Sequence, residues 1–325
     1  MRLATRAQGE PDGELLVVSA DGRRCLSAAP RWPNLLAAIT RWDVAEPALR
    51  ALDARLAAGE GAVLDEKELR APLPRTWQWL DGSAFPVHGR LMEAAFPGPR
   101  HEYEKPLMYQ GMSDCFFGPT EPVPFPDAAQ GIDFEGEFGV IVDAVPMGTR
   151  AADALKHIKL IVQINDWSLR ALALAEKKTG FGWIQAKPAC SMAPFAVTPE
   201  SLGEGWRNGR VCLDLAIDWN GRRFGNANGR EMAFGFHELI EHAAATRNLV
   251  AGTIIGSGTV ANEDYARVGS SCISEVRAIE IIAGGKPVTA FMGFGDRVRM
   301  EAHTADGRAP FGAMDQVATR IDPSI

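Results

Sequence analysis

Two glutamates, Glu135 and Glu137, stand one residue apart in the stretch DFEGEFGV, residues 133–140. Their neighbours Phe134, Phe138, Val140 and Val142 alternate as on a buried β-strand, where residues i and i+2 share a face. Glu135 and Glu137 therefore point one way with Asp133, and the apolar side chains point the other. Carboxylates about 6.6 Å apart repel by about 2.5 kcal/mol at an effective dielectric of about 20. Either water on a solvated strand face or a hard cation with oxygen ligands relieves that repulsion. The pair alone leaves both open.

Two more acids fall at informative places. Asp166 ends the apolar run IKLIVQIN ahead of a helical stretch, and Asp81 lies in the turn WLDGS. Each by itself reads as a boundary or turn acid. Four carboxylates at strand ends and turns form an oxygen-donor set that suits Mg²⁺, Mn²⁺ or Ca²⁺.

Other patterns fail on their own terms. GSGTVA, residues 256–261, fits a dinucleotide-binding G-x-G-x-x-A, but the NEDYARVGSS after it has no helical periodicity to carry a pyrophosphate site. HELIEH has one residue too many for a metalloprotease helix, leaving His237 and His242 about 140° apart. There is no G-x-S-x-G and no Walker A loop.

The elements that must position these acids follow from periodicity and punctuation. Residues 1–72 read as a small α/β domain, with the strand GELLVVSADGRR and the helical stretches PNLLAAITRW and EPALRALDARLAAGE. APLPRTWQWLDG then leads into a larger domain, residues 73–325. Its β-rich segments are EFGVIVDAV, KLIVQIND, VCLDLAIDWNGRRFG, GTIIGSGTV, RAIEIIAGG and DRVRMEAHT, and Asn220-Gly221 is a hairpin signal. Helical periodicity marks RAADALKHIKLI, FHELIEHAAATR and SLRALALAEKK, the last with Ser168 as N-cap. The fold class is α+β and mainly β.

The bulk properties narrow the partners. The 325 residues carry a formal charge of −7 with no Lys/Arg run, which argues against nucleic acid or an anionic membrane. No window reaches the roughly 18 apolar residues of a membrane span, and the apolar run Leu15–Val18 is too short for a signal peptide, so a cytoplasmic location is expected. Cys25, Cys115, Cys190, Cys212 and Cys272 are scattered and read as small buried hydrophobes.

Four motifs, in order, carry a resemblance over nearly all of residues 75–320. DFEGEFGVIV has the form D-[YF]-E-x-E and NDWSLR the form N-D-x-S-x-R; GWIQAKPA supplies a following lysine, Lys187, and LVAGTIIGSGTV ends in [ST]-G-T. In this combination the chain resembles the fumarylacetoacetate hydrolase family. The resemblance implies a mixed β-roll catalytic domain with the site at its mouth, a homodimer, and a divalent metal, Mg²⁺ first, on Asp81, Glu135, Glu137 and Asp166. It implies that His88 and Glu275 are a catalytic pair activating water, with Lys187 as a second positive centre. Arg170, Tyr109 and Thr259 are the implied substrate contacts.

The implied reaction is hydrolysis of a C–C bond in a small diketo or 2-oxo acid, such as fumarylacetoacetate, fumarylpyruvate or another acylpyruvate of aromatic-compound catabolism. Water activation needs a base, and imidazole has its ordinary pKa near the operating pH. The departing carbanion needs a Lewis acid and a cation. Decarboxylases, hydratases and isomerases of the family share the metal motif. The chain also departs from the pattern, with Ala173 where fumarylacetoacetases carry a substrate-binding glutamine and Pro188 after the lysine.

Overall fold

The computed structural model describes residues 1–96 and 104–322. Among the described residues, no helix is long and apolar enough to cross a membrane. Two sheets carry the α+β fold, and the larger has eleven strands among the described residues. At its centre Gly136–Val142 pairs antiparallel with Ile158–Asn165 on one side and with Ile254–Gly256 on the other. Trp79–Gly82 lies beyond, parallel to Ile254–Gly256, and Met108–Gly111 forms the edge. This register sets Glu137 opposite Ile164, and it sets Asp81 opposite Gly256 and Tyr109. Residues from five separate stretches of sequence thus arrive at one place.

Gly136–Val142 is buried along its whole length because both sheet faces are covered. On one face Phe138, Val140 and Val142 pack with Leu215, Ile217 and Met300 of a second, five-stranded sheet. On the other Ile141 joins Leu160, Val162 and Trp79 against Leu35, Ile39 and Trp42 from helices Leu35–Thr40 and Trp42–Ala57. Arg2 pairs with Val197, so the first strand of the chain extends the large sheet. In the second sheet, Asp214–Trp219 and Arg222–Asn228 form the hairpin expected at Asn220-Gly221, whose φ values of 51° and 74° explain that dipeptide.

Three local readings change. RAIEIIAGG belongs not to a strand but to the helix Ile273–Gly284, which Cys272 caps by accepting the Glu275 N–H and Gly285 ends with φ 78°. Its isoleucines mimic a strand, but the caps at both ends select the helix. RAADALKHIKLI is helical only over Ala151–Ala154 with a 3₁₀ turn at Leu155–His157, and its end becomes the strand Ile158–Asn165. Ser168 is not a helix cap: it pairs with Asp133 in a short strand, and the helix Arg170–Lys177 begins after it.

Candidate active site

Asp81, Glu137 and Asp166 each place a carboxylate oxygen within 4.8 Å of the other two. All three are buried, Glu137 and Asp166 completely. The GSG of GSGTVA holds Asp81: the Gly258 N–H donates to its Oδ1 at 3.0 Å. At Gly256 a Cβ would sit 2.3 Å from that same Oδ1 and 2.3 Å from the Trp79 ring, so only glycine fits there. Asn165 and Asp166 clamp Glu135 from below, since Asn165 Oδ1 accepts the Glu135 N–H at 2.9 Å and the Asp166 N–H donates to Glu135 O at 3.0 Å.

Burial pushes the carboxyl of Asp81 well above its ordinary range, with Asp166 adding to the rise. Burial does the same to Glu137, reinforced by Asp81 and Asp166. Asp166 is also raised by burial, against the pull of Lys187. No amide, amine, hydroxyl or thiol of the described residues donates to either oxygen of Glu137, which meets the Asp81 carboxyl instead. Buried charges need a partner. Three crowded carboxylates, one of them met only by another carboxyl among the described residues, fit a hard divalent cation by donor type and by charge.

Glu135 sits beside this group in a different field. Arg170 Nη2 donates to its Oε1 at 2.6 Å and Lys187 Nζ to its Oε2. Burial alone would raise its pKa, but Arg170 and then Lys187 hold it well below the usual carboxylate range. Lys187 also donates to Asp166 Oδ2 at 2.6 Å; Asp166 and Glu135 outweigh burial and keep the amine protonated. The Tyr109 hydroxyl donates to the same Asp166 oxygen at 2.7 Å. Arg170 Nε donates to Asp133 Oδ2 at 2.8 Å, so two of the guanidinium nitrogens are engaged by buried acids of its own chain.

His88, on the helix Pro86–Ala95, places Nδ1 3.0 Å from Oε2 of Glu275 on the helix Ile273–Gly284. Glu275 is fully buried and His88 is partly exposed. The helix carrying Glu275 is moored by Asp133, whose carboxylate accepts the Ile273 and Ser274 N–H groups at 2.7 and 2.9 Å. Thr259 is buried in the segment that holds Asp81. Sequence reasoning gave no role to Asp133 or to two cysteines. Cys190 Sγ donates to Asp166 Oδ1 at 3.1 Å, and Cys272 Sγ lies within 4.8 Å of His88 and Glu135. Neither contact leaves a local sequence signal.

The family model described as fumarylacetoacetate (FAA) hydrolase C-terminal matches residues 78–317, and that described as fumarylacetoacetase N-terminal domain 2 matches residues 1–75. A 2,4-didehydro-3-deoxy-L-rhamnonate hydrolase from Sphingomonas sp. (strain SKA58) is 27% identical over 158 residues, 48% of this chain and 53% of that protein. The match thus spans about half the length of that relative. Maleylpyruvate hydrolase from Sphingobium sp. SYK-6, solved with manganese(II) and pyruvate, superposes with TM-score 0.66 at 18% identity, covering 99% of this chain and 100% of its own. A 5-carboxymethyl-2-hydroxymuconate delta-isomerase from Mycobacterium smegmatis gives TM-score 0.61 at 17% identity over the same shares. At these identities the superpositions speak for the fold. With family models matched along nearly the whole length, the chain belongs to the fumarylacetoacetate hydrolase family.

Proposed function

We propose that the protein is a divalent-metal-dependent hydrolase that cleaves the C–C bond between the acyl carbon and the methylene of an acylpyruvate-type diketo acid. The observation that carries this reading is the 3.0 Å His88–Glu275 contact beside the carboxylate group. A hard cation on Asp81, Glu137 and Asp166, with Glu135 next to them, would supply Lewis acidity toward the diketo oxygens. Mg²⁺ and Mn²⁺ both suit an all-oxygen set, and the maleylpyruvate hydrolase was solved with manganese.

The chain's own residues then divide the work. His88 takes a proton from water at the ring nitrogen that Glu275 leaves free. Glu275 fixes the ring and stabilises the imidazolium. Lys187, held protonated, faces the negative charge that develops on the departing fragment. The water oxygen ends in the new acyl carboxylate, and the methylene takes up a proton to become the methyl of pyruvate. Tyr109 holds Asp166 in place, and Arg170 holds Glu135.

Isomerisation or decarboxylation is the second reading, favoured by the fold shared with the muconate isomerase. Neither needs activated water. The test is loss of enol absorbance from fumarylpyruvate, acetylpyruvate and fumarylacetoacetate with Mg²⁺ or Mn²⁺, with the products identified. Hydrolysis predicts pyruvate plus a carboxylic acid from the acylpyruvates, and a drop of about 10²- to 10⁴-fold in kcat for His88→Ala. An unchanged rate in that variant removes the assignment.

A further inference from the structure

Next to the all-oxygen group lies a cluster of different chemistry. A ring nitrogen of His88, a carboxylate oxygen of Glu135 and Sγ of Cys272 stand within 4.8 Å of one another. Cys272 is fully buried and Glu135 nearly so, while His88 is open on one side. Glu275 organises both soft donors. Its Oε2 holds His88 Nδ1 at 3.0 Å, and its backbone N–H donates to Cys272 Sγ at 3.3 Å. A carboxylate on one imidazole nitrogen fixes the ring so that the other nitrogen is free to ligate, the usual support behind a metal-bound histidine. Cys272 receives that N–H at the N-terminus of the twelve-residue helix Ile273–Gly284, while burial and then Asp133 hold its thiol well above the ordinary range, so a bound cation has to displace the proton.

Sulfur and nitrogen donors select Zn²⁺ or Cd²⁺ over Mg²⁺ or Ca²⁺. Arg170 and Lys187 already draw on Glu135, so most of the affinity rests on Sγ and the imidazole, which sharpens that preference. Cys190 does not make an equivalent site, because its Sγ donates to Asp166 and it belongs to neither group of clustered donors.

We propose that His88, Cys272 and Glu135 form an inhibitory site for a soft divalent cation, which binds with loss of the thiol proton and occupies the ring nitrogen that activates water. The inhibitory sense rests on the reading of His88 as the base; the binding does not. The test titrates the Mn²⁺-loaded protein with Cd²⁺, following thiolate-to-cadmium charge-transfer absorbance and turnover together.

One equivalent of charge-transfer absorbance is expected, with loss of activity in step. Cys272→Ser abolishes the band and shifts the half-inhibiting Cd²⁺ upward at least about tenfold, while Cys190→Ser keeps both. Serine accepts the same Glu275 N–H, so the helix cap survives. Glu275→Gln gives a second reading, weakening Cd²⁺ binding roughly 10- to 100-fold. No band, a band that persists in Cys272→Ser, or equal inhibition of that variant overturns the site. A Cys272-dependent band with full activity overturns its inhibitory role. If no acylpyruvate is turned over, the proposed function fails, and the absorbance still decides whether the site exists.

Discussion

Glu135 and Glu137, with one residue between them, meet opposite fields: Arg170 and Lys187 both donate to Glu135, while no amide, amine, hydroxyl or thiol of the described residues donates to either oxygen of Glu137. The carboxylate between two cations is held ionised; the other is pushed toward its protonated form by burial and by Asp81. One strand end therefore presents a neutralised acid and an unneutralised one side by side. That asymmetry sets the outcome of mutating each.

Glu137→Gln keeps the shape and removes the charge. Metal-free protein carrying it should melt higher than wild type, by about 2–4 °C for each kcal/mol of repulsion relieved. The wild type should gain about 2.7 kcal/mol of stability at metal concentrations about 100-fold above the dissociation constant, and the variant should gain nothing. Thermal melts with and without Mg²⁺ or Mn²⁺, after chelator treatment, check both.

Gly256→Ala tests the support of Asp81. Its new Cβ would meet Asp81 Oδ1 and the Trp79 ring at 2.3 Å, so the carboxylate must move. Metal affinity by calorimetry should fall by at least about tenfold, as for loss of a group that orients a ligand. Gly221→Ala, in the hairpin turn where no atom lies within 4 Å of a Cβ, should leave metal affinity unchanged.

Asp133→Ala removes the acid that moors the Glu275 helix and leaves Arg170 with one buried partner fewer. Breaking a buried pair costs about 3–5 kcal/mol. Denaturant unfolding should show that loss, and the turnover that remains should fall in kcat rather than rise in KM, because the His88–Glu275 geometry loosens while the carboxylate group keeps its ligands.

Lys187→Met separates charge stabilisation from metal holding. Without the ammonium, kcat should fall by about 10²- to 10³-fold, the scale of one lost electrostatic stabiliser. Metal affinity should hold or rise, since a positive charge beside Asp166 and Glu135 is gone. A parallel loss of metal and activity would instead make Lys187 part of the scaffold.

By itself the sequence determined the alternation that buries Phe138, Val140 and Val142 opposite Glu137, the Asn220-Gly221 hairpin, and the ordered motifs that mark the family. Those signals are local: a period of two, a dipeptide that tolerates positive φ, a few residues at fixed spacing. Tertiary structure alone decided which acid is neutralised. The partners of Glu135 come from Arg170 and Lys187, and the partner of His88 lies 187 positions away. It also decided that Asp133 anchors the helix Ile273–Gly284 and that Cys272 faces His88. Charge pairing and capping depend on which strands lie side by side, and sheet register brings together residues whose separation in sequence carries no trace of the contact.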